Sequence, residues 1–413
     1  MKILIVNLTD IKGGAARAAY RLHNALLGEG IESEMLVEYK YSDDFRVEAI
    51  HQGKLSYAWS VVRSGFDALP LKFYRERSKT EFSVSRTPCS GLVERINSIN
   101  PDIVHLHLAV GAMLKIEDIV KIKAPIVWSL HDMWLFTGGC HYTEECEEYK
   151  YNCGKCPILG SNKEQDLSKK IFQKKEKAFA QIENMTIVGL STWLHKCAKD
   201  APLLQSKRHI NLPNPIDTQQ FKAVNQEEAR NLWSLPQNKK LILFGAMGAT
   251  SDPRKGFSYL EEALKYLEIE NIELVIFGGS EPKEPVDLGF PLHYMGLLQD
   301  EVSLISLYSA VDVMVVPSIQ ENLSNAIMES LACATPVVAF DIGGNGDMIE
   351  HQTNGYLAKP YLADDLGKGI EWVLSHNTSE VLSKSARKKV VNSFDNCVVS
   401  PQYIKLYEEV LDD

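Results

Sequence analysis

Short apolar runs alternate along this chain with segments of helical length. The runs are continuously apolar, which is typical of strands buried on both faces of a parallel sheet. They predict strands in two series: Lys2–Leu8, Glu34–Tyr39, Asp102–Leu108, Pro125–Leu130 and Thr186–Leu190, then Lys240–Gly245, Glu273–Gly278, Val311–Pro317 and Pro336–Phe340. Helical patterns lie between them, for example at Ala15–Leu27, Phe257–Leu267 and Ala326–Cys333. Repeated βα units of this kind predict an α/β fold with doubly wound parallel sheets.

The segment Asn211–Thr218, with two prolines and an Asx-rich turn, separates the two series and predicts a linker. Two domains of about 200 residues each are therefore expected. Segment 52–88 has weak periodicity with basic and aromatic residues, which predicts an irregular insertion in the first domain.

Charge and composition narrow the function classes. The 413 residues carry 44 basic and 54 acidic side chains, a formal net charge of −10, which argues against a nucleic-acid binder. The apolar run at the N-terminus is too short for a signal peptide, and no stretch approaches 18 uncharged apolar residues. We therefore expect a cytoplasmic protein with reduced thiols.

Two turns between a strand and a helix are candidates for phosphate binding. Gly13 and Gly14 follow the first strand, and backbone amides at such a helix N-terminus can bind a phosphate; a tight turn that needs positive φ is the alternative. Asp252–Gly256 places a lysine beside a glycine before a helix, which suits a phosphate but also a solvated basic turn. Neither a G-x-G-x-x-G fingerprint nor a Walker A sequence occurs.

Two glutamates form the strongest pattern. Glu321 lies in the loop after a buried strand, and Glu329 lies eight positions later in the next helix. Both are expected near the carboxyl edge of the sheet, where open α/β sheets bind ligands. A carboxylate there can accept hydrogen bonds from the hydroxyls of a ribose or sugar. The alternative is a capping acid followed by an exposed helical glutamate.

These glutamates and the following Ser330–Phe340 resemble the E-x7-E signature of glycosyltransferase family 4, whose members are retaining and use nucleotide sugars. The resemblance covers nearly the whole chain and includes further motifs: Gly13-Gly14, His131-Asp132, Asn211–Asp217, Arg254–Gly256, Val275–Gly279 and Tyr308–Ser318. It implies the GT-B architecture, with two facing Rossmann-like domains and a cleft between them. Residues 1–205, joined by a C-terminal helix at 397–413, would form the acceptor side, and 206–396 would bind the nucleotide sugar.

The resemblance also implies roles for individual residues. The catalytic set would be His131 beside the reacting sugar carbon, Lys255 on the donor diphosphate and Glu321 near the donor sugar. Glu329 would bind the ribose hydroxyls. The remaining donor-binding positions would be Gly13, Gly14, Arg254, Leu323, Ser324 and Asn325.

The chain departs from the family pattern in two places. Many members carry an arginine at the strand end before the lysine, whereas this strand ends Phe244–Gly248 without one, so that Arg254 is the candidate replacement. The glycine-rich stretch that usually follows the first glutamate is replaced by Asn322–Asn325.

The reaction implied is a retaining, hexosyltransferase-type transfer of EC class 2.4 from a UDP-, GDP- or ADP-sugar. Cationic side chains would stabilise the leaving diphosphate, so no catalytic metal is expected. The expected setting is surface polysaccharide synthesis (capsule, exopolysaccharide or O-antigen) on a glycan or lipid-linked acceptor, with no nucleic-acid partner. The alternatives are a small-metabolite or protein acceptor, or a non-catalytic or epimerase relative. The sequence leaves the oligomeric state open.

Four of the eight cysteines crowd into one segment: Cys140, Cys146, Cys153 and Cys156. The last pair has zinc-knuckle spacing, and His141 adds a further candidate ligand. A structural zinc site stands beside two disulfides or free buried thiols as the interpretations.

A lysine-rich segment follows the cysteines, with residues Lys163, Lys169, Lys170, Lys174, Lys175 and Lys177. A solvated helix face is the favoured interpretation. Contact with an anionic membrane at its inner face is the other. Of two strand histidines, His105 and His107, one is expected in the core and one facing the cleft.

Overall fold

The computed structural model describes residues 1–51, 53–89, 91–245, 252–279, 287–375 and 379–412. The strands of these residues are β1 Lys2–Thr9, β2 Glu32–Tyr39, β3 Val47–Ala49, β4 Ile103–Leu106, β5 Ile126–Leu130, β6 Met185–Gly189, β7 Arg208–Asn211, β8 Lys240–Gly245, β9 Ile272–Phe277, β10 Leu292–Tyr294, β11 Val313–Val316, β12 Val337–Phe340 and β13 Gly355–Ala358. The α-helices are α1 Gly14–Gly28, α2 Lys54–Ala68, α3 Leu92–Ile99, α4 Leu167–Phe179, α5 Thr192–Asp200, α6 Gln226–Leu232, α7 Phe257–Leu264, α8 Glu301–Ala310, α9 Asn325–Ala332, α10 Asn345–Met348, α11 Ala363–Ser375, α12 Ser379–Ser393 and α13 Asn396–Asp412.

The chain divides into two compact units. The N-terminal unit comprises Met1–Asn214 together with the chain from Ser400 onward, and the C-terminal unit comprises Pro215–Val399. The structure places residues 206–214 with the N-terminal unit, instead of the C-terminal domain assigned to them from the sequence, because β7 pairs with β6.

The N-terminal unit is built on a parallel sheet. In the described residues its strand order is β3-β2-β1-β4-β5-β6-β7. The central strands β4 and β5 are wholly buried, as their continuous apolar sequences predict. The last helix, α13, belongs to this unit from Ser400 onward, where the hydroxyl of Tyr407 lies 2.7 Å from Nδ1 of His105 on β4.

The C-terminal unit repeats the plan. Its described strands run β10-β9-β8-β11-β12-β13, again parallel. The chain reverses its winding direction between β8 and β11, as it does between β1 and β4 in the other unit. We call these places the C-terminal and N-terminal switch points. Ligands of doubly wound sheets bind outside the carboxyl ends of the strands at such points.

Both sheets confirm the predicted α/β class, and all nine predicted strands are present. Four short strands were not predicted: β3, β7, β10 and β13. Each has three or four residues and only partial burial, so none forms a continuous apolar run. The predicted irregular insertion is wrong over much of its length, since Lys54–Ala68 is a regular helix of 15 residues. Among the helices described, none combines the length and apolar character needed to cross a bilayer.

Candidate functional site

The C-terminal switch point brings together the loops that follow β8 and β11. Asp252 accepts a hydrogen bond at 2.9 Å from the backbone amide of Arg254, and the Arg254 carbonyl accepts one at 2.9 Å from Ile319. Gly256 has φ +71° and a Cβ there would overlap the carbonyl oxygen of Pro317. Only glycine fits this position, because both its backbone conformation and its contact exclude a side chain. The close approach holds the lysine turn against the end of β11.

An ion pair joins the two loops. Nζ of Lys255 lies 2.9 Å from Oε2 of Glu321, and the side chains are only 18% and 12% exposed. Burial tends to raise the pKa of Glu321, but the charges of Lys255 and Arg254, with a hydrogen bond from Ser318, hold it below its usual value. Glu321 is therefore ionised at neutral pH.

The backbone of Glu321 is fixed from a third loop, which follows β12. The amide of Gly344 donates to the Glu321 carbonyl at 3.3 Å. Gly343 has φ +53°, and a Cβ there would overlap the same carbonyl oxygen. Glu321 is thus held by neighbours on both sides, so that its carboxylate has a defined position.

Glu329 lies inside α9 and is 3% exposed, so the alternative of an exposed helical glutamate is wrong. The hydroxyl of Tyr308, on α8, donates to its Oε2 at 3.0 Å. The Tyr308 carbonyl in turn accepts from Thr335 at 2.7 Å. Tyr308 was given no role from the sequence, since a tyrosine before a buried strand is usually a core residue.

The N-terminus of α9 lies at the same edge. Leu323 and Ser324 are buried and Asn325 is half-buried, with Ser324 at the N-cap position. Within the described residues the Ser324 side chain makes no capping bond to the first turn. The first-turn amides of a helix favour an anion, because they lack acceptors within the helix and carry its positive dipole end. A small pocket is lined by Phe244, Gly245, Lys255, Val315, Val316, Pro317, Ser318, Glu321, Ser324 and Ala326.

Lys255, Glu321 and Ser324 at the α9 N-terminus therefore line one small pocket, Arg254 precedes Lys255 in the chain, and Glu329 lies further along α9. Arg254 lies 3.4 Å from Asp252 in a salt bridge. After the end of β8, where many family members carry an arginine, the chain continues through residues 246–251, which lie outside the described residues.

The N-terminal switch point carries different chemistry. Gly13, with φ +105°, is the N-cap of α1, and Gly14 is the exposed first residue of that helix. A Cβ on Gly13 would meet nothing within 4 Å, so glycine is favoured there by its conformation and not by lack of space.

A chain of histidines runs under this edge. Nδ1 of His107 lies 2.8 Å from Nε2 of His131, and the His107 ring lies 4.3 Å from that of His105. His105 also bonds Ser129 at 2.8 Å and Tyr407 on α13. Both strand histidines are buried, so the prediction that one faces a cleft is wrong; the half-buried member is His131.

Burial keeps these histidines neutral. It lowers the pKa of His131 to about 4 and that of His105 to about 3, and it lowers that of His107 well below the usual value. Nε2 of His107 is buried without a hydrogen-bond partner in the described residues. An unpartnered lone pair costs less than an unpartnered N–H, so we assign the His107 proton to Nδ1, which donates to His131.

The half-buried Asp132 and the buried His141 form a second pair, 2.7 Å apart. Burial tends to lower the pKa of His141, but the Asp132 carboxylate raises it above its usual value. Nε2 of His141 lies 2.8 Å from the hydroxyl of Ser83. His141 is thus committed to side-chain partners.

The cysteines of the cluster are unpaired thiols in the described structure. Cys140, Cys153 and Cys156 are buried and Cys146 is half-buried. Burial raises their pKa values, to about 12 for Cys153 and about 11 for Cys156. Across the residues described, no three His, Cys, Asp or Glu side chains are grouped so as to hold a metal ion. The thiols as placed therefore do not fit a zinc ion, and the structural zinc remains a sequence prediction.

The lysine run is only partly a solvated face. Lys175 is wholly buried: it donates to the carbonyls of Trp134 and Thr137, and its Nζ lies 3.6 Å from the centroid of the Trp134 ring. Burial lowers its pKa to about 7. Lys169 is buried as well, whereas Lys170 and Lys177 are exposed.

Known proteins match this chain in two ways: a family model covers part of the C-terminal unit, and individual relatives cover most of the chain. Residues 225–389, within the C-terminal unit, match the family model "Glycosyl transferases group 1". The chain is 26% identical over 328 residues to the uncharacterized glycosyltransferase MJ1607 of Methanocaldococcus jannaschii, covering 74% of this chain and 75% of that protein. It is 25% identical over 358 residues to the putative colanic acid biosynthesis glycosyl transferase WcaC of Escherichia coli K12, covering 82% and 83%.

A shorter match is to an Escherichia coli enzyme named UDP-Gal:alpha-D-GlcNAc-diphosphoundecaprenol alpha-1,3-galactosyltransferase. It is 25% identical over 195 residues and covers 45% of this chain and 50% of that one.

Solved structures match over the whole chain. Sucrose-phosphate synthase from Thermosynechococcus elongatus superposes with a TM-score of 0.70 at 17% identity, covering 100% of this chain and 99% of that one. Anabaena Alr3699/HepE, in complex with UDP-glucose, gives a TM-score of 0.62 at 14% identity and covers 99% and 100%. The two Rossmann-like units are those of the GT-B fold, and residues 225–389 of the C-terminal unit match the group 1 glycosyltransferase model.

Proposed function

We propose that this chain is a retaining glycosyltransferase that moves a sugar from a nucleotide diphosphosugar to a hydroxyl acceptor. The observation that carries the proposal is the arrangement at the C-terminal switch point. The Lys255–Glu321 pair and the N-terminus of α9 line one pocket, and the buried Glu329 follows in the same helix. These elements lie at the edge where doubly wound sheets bind their ligands, which supports the proposal.

The cationic side of this site suits the diphosphate. Lys255 and the first turn of α9 would bind its oxygens, and Arg254 would add a second charge beside them. When the bond to the sugar breaks, its electron pair passes to the diphosphate. Positive charge that is already in place stabilises this leaving group without a reorganisation step.

The buried glutamate suits the ribose. Oε2 of Glu329 accepts from Tyr308, which orients the carboxylate, and a carboxylate can accept hydrogen bonds from two neighbouring hydroxyls. Asn or Asp substitution of this residue would misplace or remove those acceptors, since its helix fixes the reach of the side chain.

The ionised Glu321 suits the sugar itself. Its carboxylate would orient the sugar hydroxyls and stabilise the positive charge that develops at the anomeric carbon. We propose that the acceptor oxygen attacks from the face that the diphosphate leaves and that its proton passes to a leaving phosphate oxygen. This sequence retains the anomeric configuration. Gly13, Gly14 and His131 are assigned to the reaction by the family resemblance.

The acceptor and setting rest on the relatives. One matched protein is named for colanic acid biosynthesis and another for a diphosphoundecaprenol-linked acceptor. We therefore propose surface polysaccharide assembly on a glycan or lipid-linked acceptor.

The test begins with thermal unfolding in the presence of UDP-, GDP- and ADP-sugars, because a ligand that binds the native state raises the Tm. At least one of these nucleotide sugars is expected to stabilise the protein. Glu329→Ala should weaken the binding of that nucleotide sugar about tenfold or more, since a buried charged hydrogen bond is lost. The anomer formed would then be assigned by NMR. Absence of stabilisation by all three donors, or an inverted product, would contradict the proposal.

A further inference from the structure

Helix α2 is amphipathic in the reverse of the usual sense. Its buried positions carry polar or charged side chains, namely Ser60, Arg63 and Asp67, with the half-buried Ser56 one turn earlier. These four follow an i, i+4, i+7, i+11 spacing, which defines one face of a helix. In an ordinary surface helix the face that points inward is apolar.

Specific bonds hold this polar face inward. The Asp67 carboxylate accepts from the backbone amides of Ser85, Arg86 and Thr87 at 2.8 to 2.9 Å. Arg63 pairs with the buried carboxylate of Glu38 on β2. Rotation of the helix would leave these buried charges unpaired, so the face opposite to them is fixed outward.

Ser60 and Ser56 extend the same attachment toward the helix start. The Ser60 hydroxyl donates to the Tyr39 hydroxyl at 3.1 Å, and Ser56 lies 2.9 Å from His51. Bonds at four successive turns therefore define the rotational setting of α2 along its length.

The outward face is broad and apolar. Between residues 55 and 69, all of them described, no exposed side chain carries a charge. Leu55 is 90% exposed and Trp59 54% exposed. The large exposed apolar side chains are Leu55, Tyr57, Trp59, Val61, Val62, Phe66 and Leu69, followed by Phe73 in the next turn. A patch of this extent on a folded chain indicates an interaction surface.

Positive charge adjoins this face although the chain is acidic overall. Immediately after it come four exposed cations, Lys72, Arg75, Arg77 and Lys79, with Glu76 as the exposed anion among them. We call residues 55–79 the α2 surface. Apolar and aromatic side chains beside a basic cluster are the pattern of helices that lie in an anionic membrane surface.

We propose that the α2 surface docks this protein on an anionic lipid bilayer, with α2 lying in the plane of the interface. A helix of 15 residues is about 22 Å long and so falls short of the roughly 30 Å hydrocarbon core. Its aromatic side chains would lie at the headgroup level, where tryptophan and tyrosine are favoured. Lipid binding by this face does not depend on the proposed reaction, so the two can fail separately.

Co-sedimentation of the full chain with vesicles tests the proposal. One vesicle set contains phosphatidylglycerol with phosphatidylcholine, the other phosphatidylcholine alone. Trp59→Ser/Phe66→Ser removes apolar contacts, and Leu232→Ser/Val302→Ser is the matched control at exposed apolar residues of α6 and α8. Arg75→Glu/Arg77→Glu reverses charge, and Lys170→Glu/Lys177→Glu is its control on α4.

The wild-type chain should bind the anionic vesicles, and each α2-surface variant should lower the partition coefficient about tenfold or more. Both controls should stay within about twofold, with unchanged Tm for all variants. The charge variant covers the case in which the serine variant fails to fold. Absence of wild-type binding, or binding that survives both α2-surface variants, would overturn the proposal. A dimer that only the α2-surface variants dissociate, without vesicle binding, would overturn it in favour of a second copy.

Discussion

The two switch points share a strand order but differ in charge. Under the N-terminal one, His105, His107 and His131 are held neutral by burial. At the C-terminal one, Lys255 and Glu321 keep opposite charges at 2.9 Å. The doubly wound topology places a site at both edges. The side chains that follow each strand decide which edge suits a diphosphate, and we propose that here it is the C-terminal one.

Removal of the cation should have the largest effect. Lys255→Met leaves the Glu321 carboxylate without its partner and removes the charge proposed to bind the diphosphate. We expect kcat for sugar transfer to fall about a hundredfold to a thousandfold. Lys368→Met is the control, because Lys368 forms an exposed pair with Asp364 in the same unit. If Lys255→Met kept activity within about threefold of wild type, the proposed diphosphate site at the C-terminal switch point would be contradicted.

Backbone packing offers a second contrast, measured as thermal stability. Gly256→Ala and Gly289→Ala both place a side chain at positive φ, but only the former overlaps a neighbour, the Pro317 carbonyl. We expect Gly256→Ala to cost about 2 kcal/mol more than Gly289→Ala, because strain and overlap add. Equal Tm values for the two variants would show that the lysine turn is not packed as described.

Acid should lower the stability of the protein through His131 at the N-terminal switch point. The pKa of His131 is lowered to about 4, so between that value and about 6.5 the unfolded chain binds more protons, and stability falls as pH falls. The raised pKa of His141 acts in the opposite direction, so a variant is needed to isolate the effect. From pH 7 to pH 5, wild type should lose about 1 to 2 kcal/mol more than His131→Asn. A parallel loss in both would contradict the neutral state of His131.

The smallest effect is expected at His107, which is buried and bonds the half-buried His131. His107→Asn removes the ring that donates to Nε2 of His131. If His131 serves the reaction, kcat should fall about tenfold while the donor KM stays unchanged, since the donor is proposed to bind at the other edge. His107→Gln, which has a longer amide arm, should restore part of the loss. A change in donor KM alone would place the diphosphate near these histidines.

The sequence predicted the elements that depend on a long apolar pattern. All nine buried strands are where their continuous apolar runs indicate. The buried strand before Glu321 and Glu329 also indicated where these residues lie, Glu321 in the loop after β11 and Glu329 in α9. Helix α2 was missed because its buried face is polar, whereas a helix is predicted from apolar residues that recur on its buried face. The burial of Lys175 was missed for a similar reason, since lysine is rarely found in a core. Tyr308 gains its meaning only from the 3.0 Å contact with Glu329, which spacing along the chain cannot show.

A crystal structure with the nucleoside diphosphate that raises the Tm most tests the central claim directly. We predict diphosphate oxygens within hydrogen-bond distance of Nζ of Lys255 and the first turn of α9, with ribose hydroxyls on Glu329. The Lys255–Glu321 distance should lengthen from 2.9 Å as the ammonium turns to the phosphate. A diphosphate that contacts neither Lys255 nor the first turn of α9, with that pair intact, would contradict the account.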